Sequence, residues 1–263
     1  MEYKCARYDS LVNNITTKDR LFVGNYTVDP YQNCEFGCKY CDSAIDKTIY
    51  IKTNATQLLN KELATKEKGM IIVGSVHDPY QQAENSYKIT RDLLKIIQDQ
   101  GFSCHILTKS TLAIRDIDVL SNIRNCLVTI SITTLNKSVA NIFEKNVPSP
   151  KERLQTVKIL SDHGIKTGIA IMPILPFIVE EELEGMVKSA SNHNAQYVIN
   201  KHLELKGDQK HLFMNTLEEY YPHLTEKYEQ LYKNSYTPND AYLTKIRNTI
   251  NKWCSEYSIK NRI

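Results

Sequence analysis

No stretch of the 263 residues approaches the roughly 18 consecutive apolar side chains that a membrane helix needs. The longest apolar run, Gly168 to Val179, is broken by Pro173 and Pro176, and its length suits a buried strand with the loop after it. No apolar run follows Met1-Glu2-Tyr3-Lys4-Cys5-Ala6-Arg7, so this stretch does not read as a signal peptide. An excess of one charge sign is missing as well: 33 Lys and Arg stand against 30 Asp and Glu, a net +3, with the two signs interspersed. That balance permits an acidic substrate, does not argue for nucleic acid, where a strongly basic face would be looked for, and points to a solvated mixed-charge surface. Linkers rich in Ser, Gly or Pro, low-complexity tracts and long-period repeats are also absent, which argues for one domain. A cytoplasmic location is expected, where thiols stay reduced.

Cysteine, by contrast, is concentrated. Of seven cysteines, three fall in the eight residues Cys34-Glu35-Phe36-Gly37-Cys38-Lys39-Tyr40-Cys41. An odd count with such a cluster reads as metal ligation and not as a disulfide framework. Thiolates select zinc, Cu(I) or iron–sulfur clusters. Structural zinc normally takes four protein ligands as two separated pairs, and no second Cys/His pair follows at that spacing. A cubane cluster has four irons, so three cysteines leave one iron open to chelate a small molecule. An electron carrier would normally ligate all four irons with protein groups, so the triplet speaks against a non-catalytic iron–sulfur carrier or redox sensor. Cys104 and Cys126 fall in expected strands and read as core, Cys254 is helical, and Cys5 lies in an unassigned leader.

Along the chain, short apolar runs alternate with amphipathic stretches. Strands are expected at Met70–Val76, Phe102–Thr108, Cys126–Thr133, Lys166–Met172 and Gln196–Asn200, where the composition is apolar and β-branched. Helices are expected at Tyr87–Gln98, Leu112–Ile123, Ser138–Lys145, from Pro150 to His163, and at Glu180–Ser191. Such alternation predicts a parallel sheet with right-handed crossovers, curled into a partial barrel of about six β/α units. From about Gly207 the strands stop, and Leu212–Tyr220, His223–Tyr232 and Asp240–Tyr257 read as three tyrosine-bearing helices. The expected class is therefore α/β: a partial (β/α)6 barrel over residues 1–206, with the cysteine loop near 34–41, and a helical cap over 207–263 in the same domain. One short echo stands out. Asp29-Pro30-Tyr31-Gln32 recurs as Asp78-Pro79-Tyr80-Gln81, each after an expected strand, where barrel active sites lie.

The cysteine octapeptide resembles the CxxxCxxC signature of the radical S-adenosylmethionine (SAM) superfamily, with its aromatic residue before the last cysteine. Further segments resemble the spore photoproduct lyase-like branch of that superfamily: Asp29-Pro30-Tyr31, Asp78-Pro79-Tyr80-Gln81, Leu107-Thr108-Lys109-Ser110, Ser131-Ile132-Thr133-Thr134, and Pro148-Ser149-Pro150 leading to Arg153-Leu154. The resemblance implies a [4Fe–4S] cluster on Cys34, Cys38 and Cys41, with SAM bound through its amine and carboxylate to the open iron. Reductive cleavage would give methionine and a 5′-deoxyadenosyl radical that takes a hydrogen atom from a substrate. It further implies that Tyr40, Ser75, Lys109 and Ser131 bind SAM, Tyr40 against the adenine. An external one-electron reductant of the flavodoxin or ferredoxin type would be a partner. The substrate class stays open among small molecules, nucleotides and peptides. The thiol that this branch uses as hydrogen donor after the second strand is absent, since Val73-Gly74-Ser75-Val76-His77-Asp78 contains none. This argues against repair of a nucleic-acid lesion, which stays the alternative reading. Asp78 and Tyr80 are candidate catalytic residues, Tyr80 as a redox-capable phenol near the mouth. Arg153 could hold a carboxylate or pair with a neighbour such as Glu152.

Overall fold

The β-branched and apolar runs form ten strands in the computed structural model, which describes residues 1–17 and 21–263. They are β1 (Glu2–Ala6), β2 (Asn13–Asn14), β3 (Tyr26–Val28), β4 (Tyr31–Gln32), β5 (Thr48–Lys52), β6 (Met70–Val73), β7 (Ser103–Thr108), β8 (Cys126–Ser131), β9 (Lys166–Ile174) and β10 (Tyr197–His202). The main sheet runs β10-β9-β8-β7-β6-β3-β2. All its neighbouring pairs are parallel except β2 with β3. The six strands β3 and β6 to β10 thus give the expected partial barrel of the α/β class.

The period-2 alternation of each strand sorts its side chains onto two faces. Ile71 and Val73, Cys104 and Ile106, Val128 and Ile130, Ile169 and Ile171, and Val198 join the large core shared with the surrounding helices. Their neighbours Met70, Leu127, Ala170, Tyr197 and Ile199 form a smaller core on the opposite, concave face, packed with Phe22, Leu107 and Met172. Tyr197 fills the barrel interior against Gly168, where an added Cβ would lie 2.3 Å from the ring. Its hydroxyl shares a 2.7 Å hydrogen bond with Thr129, which meets His105 Nε2 at 2.7 Å. Burial depresses the His105 imidazole to about pKa 4, so this polar stack is neutral.

The helices occupy Ala55–Leu63, Ala83–Tyr87, Ile89–Asp99, Ile117–Leu120, Lys137–Phe143, Pro150–Asp162, Leu183–Asn192, Gly207–Tyr220, Thr225–Leu231 and Asp240–Glu256. The continuous helix expected at Leu112–Ile123 is instead a 3-10 turn, Leu112–Asp116, followed by a single α-turn. Tertiary partners explain the break: Arg115 and Asp116 are drawn into ion pairs with Glu84 and Arg91, a pull that outweighs local helix preference. The C-terminal helices pack into the main core through stacked Phe143 and Phe213, and through Tyr228 and Tyr232, whose hydroxyls donate to Pro176 O and Leu203 O. A second sheet of order β1-β5-β4, unforeseen in the sequence, backs the cysteine loop.

Candidate active site

The cysteine loop leaves β4 through Asn33, in the left-handed region at φ 66°, and turns again at Gly37, φ 59°. An added Cβ at Gly37 would touch nothing nearer than 3.8 Å, so backbone conformation and not space calls for glycine there. Polar side chains fasten the loop from three directions. Gln81 accepts from Glu35 N at 2.9 Å and donates to Asn33 O at 3.0 Å. The Glu35 carboxylate accepts from Ala83 N at 2.6 Å and from the Tyr3 hydroxyl at 2.5 Å, tying the loop to the second β/α connection and to β1. Lys39 N donates to Phe143 O at 2.9 Å. These bonds fix the shape of the loop.

Cys34, Cys38 and Cys41 line one cavity, shared with Tyr40, Ser75, Asp78, Lys109 and Ser131. Burial pushes Cys34 upward, and pushes Cys38 up to about 12 even though the Lys109 ammonium opposes the shift. Among the described residues no three His, Cys, Asp or Glu side chains gather around a single ion, and each thiolate of a cubane occupies a separate iron. Three thiols on one loop, facing a cavity with a lysine on its far wall, fit a cluster that carries negative charge and leaves one iron open.

Lys109 follows β7 and turns into this cavity. Its ammonium donates to Ser131 Oγ at 3.1 Å and lies 5.7 Å from the Tyr40 ring centre. Burial opposes its charge, but Cys38 and Glu144 outweigh it and hold the ammonium above its ordinary pKa. The strand end is fixed by Asp78, whose carboxylate accepts from Lys109 N at 2.7 Å, Thr108 Oγ1 at 2.6 Å and Tyr80 N at 2.9 Å. Asp78 therefore braces the lysine from below. Ser75 stands at the rim and donates to Asp29 at 2.8 Å. It is placed by Gly74 (φ 86°), where a Cβ would meet Pro79 at 2.4 Å and Leu107 O at 2.7 Å.

Tyr80 is not near the mouth. Its ring is buried and its hydroxyl donates to Asp116 at 3.0 Å, away from the cavity. The position just after Pro79 turns the side chain under the sheet, where Asp116 is itself paired with Arg91 and Arg115. This geometry accounts for the Asp-Pro-Tyr-Gln echo. Asp29 accepts from Ser75, Val76 N and His77 N, and Asp78 from Thr108 and Lys109, so each aspartate braces the loop after the next strand. Tyr31 bonds Glu84 as Tyr80 bonds Asp116, and Arg115 pairs with both carboxylates. The echo is one bracing device used twice.

Sequence reasoning missed Glu144. Wholly enclosed, it accepts from the Tyr40 hydroxyl, from Thr133 Oγ1 at 3.0 Å and from Arg153 at 2.5 Å. Arg153 also donates to Ser131 O at 2.8 Å. Glu152, the alternative partner, caps Ser149 instead, in a reciprocal box that opens the helix Pro150–Asp162 and leaves Arg153 facing inward. Cys104 and Cys126 lie on the helix-facing side of the sheet, outside the cavity.

A profile of the radical SAM superfamily matches residues 28–190. An uncharacterised protein of Methanocaldococcus jannaschii is 30% identical over 239 residues, covering 86% of each chain. One of Mycobacterium tuberculosis is 24% identical over 254 residues, covering 89% of this chain and 75% of that one. Among solved structures, spore photoproduct lyase complexed with dinucleoside spore photoproduct superposes with a TM-score of 0.73 at 14% identity, covering 97% of this chain and 79% of that chain. Streptococcus suis SuiB bound to precursor peptide SuiA superposes with 0.60 at 11% identity, covering 90% and 47%. At these identities the structural likenesses speak for the fold.

Proposed function

The chain belongs to the radical SAM superfamily, and on that footing we propose that Cys34, Cys38 and Cys41 hold a [4Fe–4S] cluster beside a SAM site formed by Tyr40, Ser75, Lys109 and Ser131. The single observation carrying this reading is that all seven residues line one cavity. When bound and reduced, the cluster supplies the electron that cleaves SAM. The chain's own residues bind and orient. The Lys109 ammonium offers a cation for the SAM carboxylate, Ser131 Oγ holds that ammonium in place, and Tyr40 presents an aromatic face for the adenine. Glu144 and Arg153 lie behind this wall and keep Tyr40 and the end of β8 in register. Membership implies an enzyme that needs a one-electron reductant. Among the described residues no helix is long and apolar enough to cross a membrane.

A second reading, a lyase acting on a nucleotide lesion, draws on the fold likeness to spore photoproduct lyase. It is disfavoured by Ser75 standing where that branch carries a thiol, and by Cys104 and Cys126 lying on the far side of the sheet. The proposal is tested by anaerobic reconstitution. About four iron and four sulfide per chain are expected, with an electron paramagnetic resonance signal that changes when SAM is added. Stoichiometric zinc without labile sulfide overturns it.

A further inference from the structure

Beside the cysteine cavity lies a second, wider space, walled by the ends of β9 and β10, the helix Asp240–Glu256 and residues 261–262. Ser75 and Leu107 line both spaces, so the wide basin opens onto the cysteine cavity. It is the approach to the reaction centre, and its chemistry restricts what can use it.

Among the described residues no Asp or Glu lines the basin, whereas Lys201, Arg247 and Arg262 do. Lys201 is paired with Glu204 at 2.8 Å. Arg247 and Arg262 have no hydrogen-bond or ion-pair partner among the described residues. Two guanidinium groups on separate segments thus face one space, with neither a partner nor a carboxylate in its lining among the described residues. The floor is apolar, built from Phe22, Leu107, Met172 and Ile199. His202 Nε2, also in the lining, is shielded from solvent and has no hydrogen-bond partner among the described residues. The start of β10 is bridged by the chain at Lys260, with Val198 N donating to Lys260 O at 2.7 Å. A guanidinium fork matches phosphate oxygens two at a time. We propose that the basin binds an organic phosphate, its phosphate held by Arg247 and Arg262 and its body lying on the apolar floor toward Ser75.

The assignment rests on the radical SAM reading only in taking the cysteine cavity as the reaction centre. Binding is therefore measured on cluster-loaded protein with neither SAM nor reductant, so it can fail while SAM cleavage stands. The probes are ribose 5-phosphate, ribose, a fluorescein-labelled single-stranded oligothymidylate, and a glutamate-rich peptide of the same net charge. Ribose 5-phosphate or the oligothymidylate should bind at least about tenfold more tightly than ribose or the peptide. The Arg247→Gln/Arg262→Gln protein should lose about tenfold or more of that affinity, and Arg247→Lys/Arg262→Lys should retain part of it. Exposed Lys188→Gln, on the helix Leu183–Asn192, should behave as wild type. Binding of ribose 5-phosphate alone identifies a free phosphorylated metabolite as the source of the phosphate. Binding of the strand alone, with a salt slope that falls by about 0.7 for each phosphate contact removed, identifies a nucleic-acid backbone. No binding of either phosphate probe, unchanged binding in the double glutamine variant, or equal binding of the acidic peptide overturns the proposal.

Discussion

Arg153 Nη2 stands 2.5 Å from Glu144 Oε2, and neither side chain reaches solvent. The pair is the hub behind the cavity: Glu144 also holds the Tyr40 hydroxyl, and Arg153 the carbonyl of Ser131. Removing one partner strands a buried charge. Arg153→Met should cost about 3–5 kcal/mol of stability, read by chemical denaturation. Joint replacement with Glu144→Gln should recover part of that loss. A single variant as stable as wild type would remove the pair from its bracing role.

The same pair sets an acid limit. Burial alone would raise the Glu144 carboxyl, but Arg153 and Lys109, with the Tyr40 hydrogen bond, hold it below its ordinary 4.5. A depressed folded pKa stabilises above the unfolded value, and that stability is lost as pH falls through the folded one. The stability gap between wild type and Glu144→Gln should therefore be constant above about pH 4.5 and shrink below it. A gap that widens toward acid would contradict the direction.

Lys109→Ala should weaken SAM binding while leaving the iron content unchanged, since the ammonium faces the cavity without touching the thiols. Asp78→Asn should weaken it by about tenfold, because its amide would present a donor to Lys109 N–H and a charged hydrogen bond is lost. Tyr80→Phe loses only a buried bond to Asp116 and should leave SAM affinity intact. Equilibrium binding on reconstituted protein checks all three. Wild-type affinity in Lys109→Ala would take that residue out of the site.

Much of this architecture was legible in the sequence. Met70–Val73 and Cys126–Ser131 announce strands through β-branched composition alone, and the thiol triplet is local chemistry. The N-terminal sheet was not legible, since β1 is mostly exposed and owes its strand form to pairing with β5, 42 or more residues away. Glu144 reads as one more polar residue at the end of a short helix. Only the turn that brings Lys137–Phe143 under the cysteine loop reveals its partners. Net charge does not report where charges sit. Among the described residues, no Asp or Glu shares the wall of the basin with Arg247 and Arg262.

Multiple-turnover repair of spore photoproduct in duplex DNA is not expected, because among the described residues no thiol lines either space beyond the three loop cysteines. Ser75→Cys sets a sulfur at the rim common to both. If a lesion binds and only the hydrogen donor is missing, thymine recovery from a lesion-containing oligonucleotide should rise in that variant. Efficient repair by the wild type would restore the lesion reading.

The central claim is SAM cleavage at the cysteine cavity, and the direct measurement is 5′-deoxyadenosine released by anaerobically reconstituted protein given SAM and dithionite. Wild type should release 5′-deoxyadenosine and methionine in equal amounts. Cys34→Ala, Cys38→Ala and Cys41→Ala should release none, and Cys254→Ala should match wild type. A cluster-loaded wild type that leaves SAM intact with dithionite and with a flavodoxin system, or a Cys38→Ala protein that still cleaves it, would contradict the assignment.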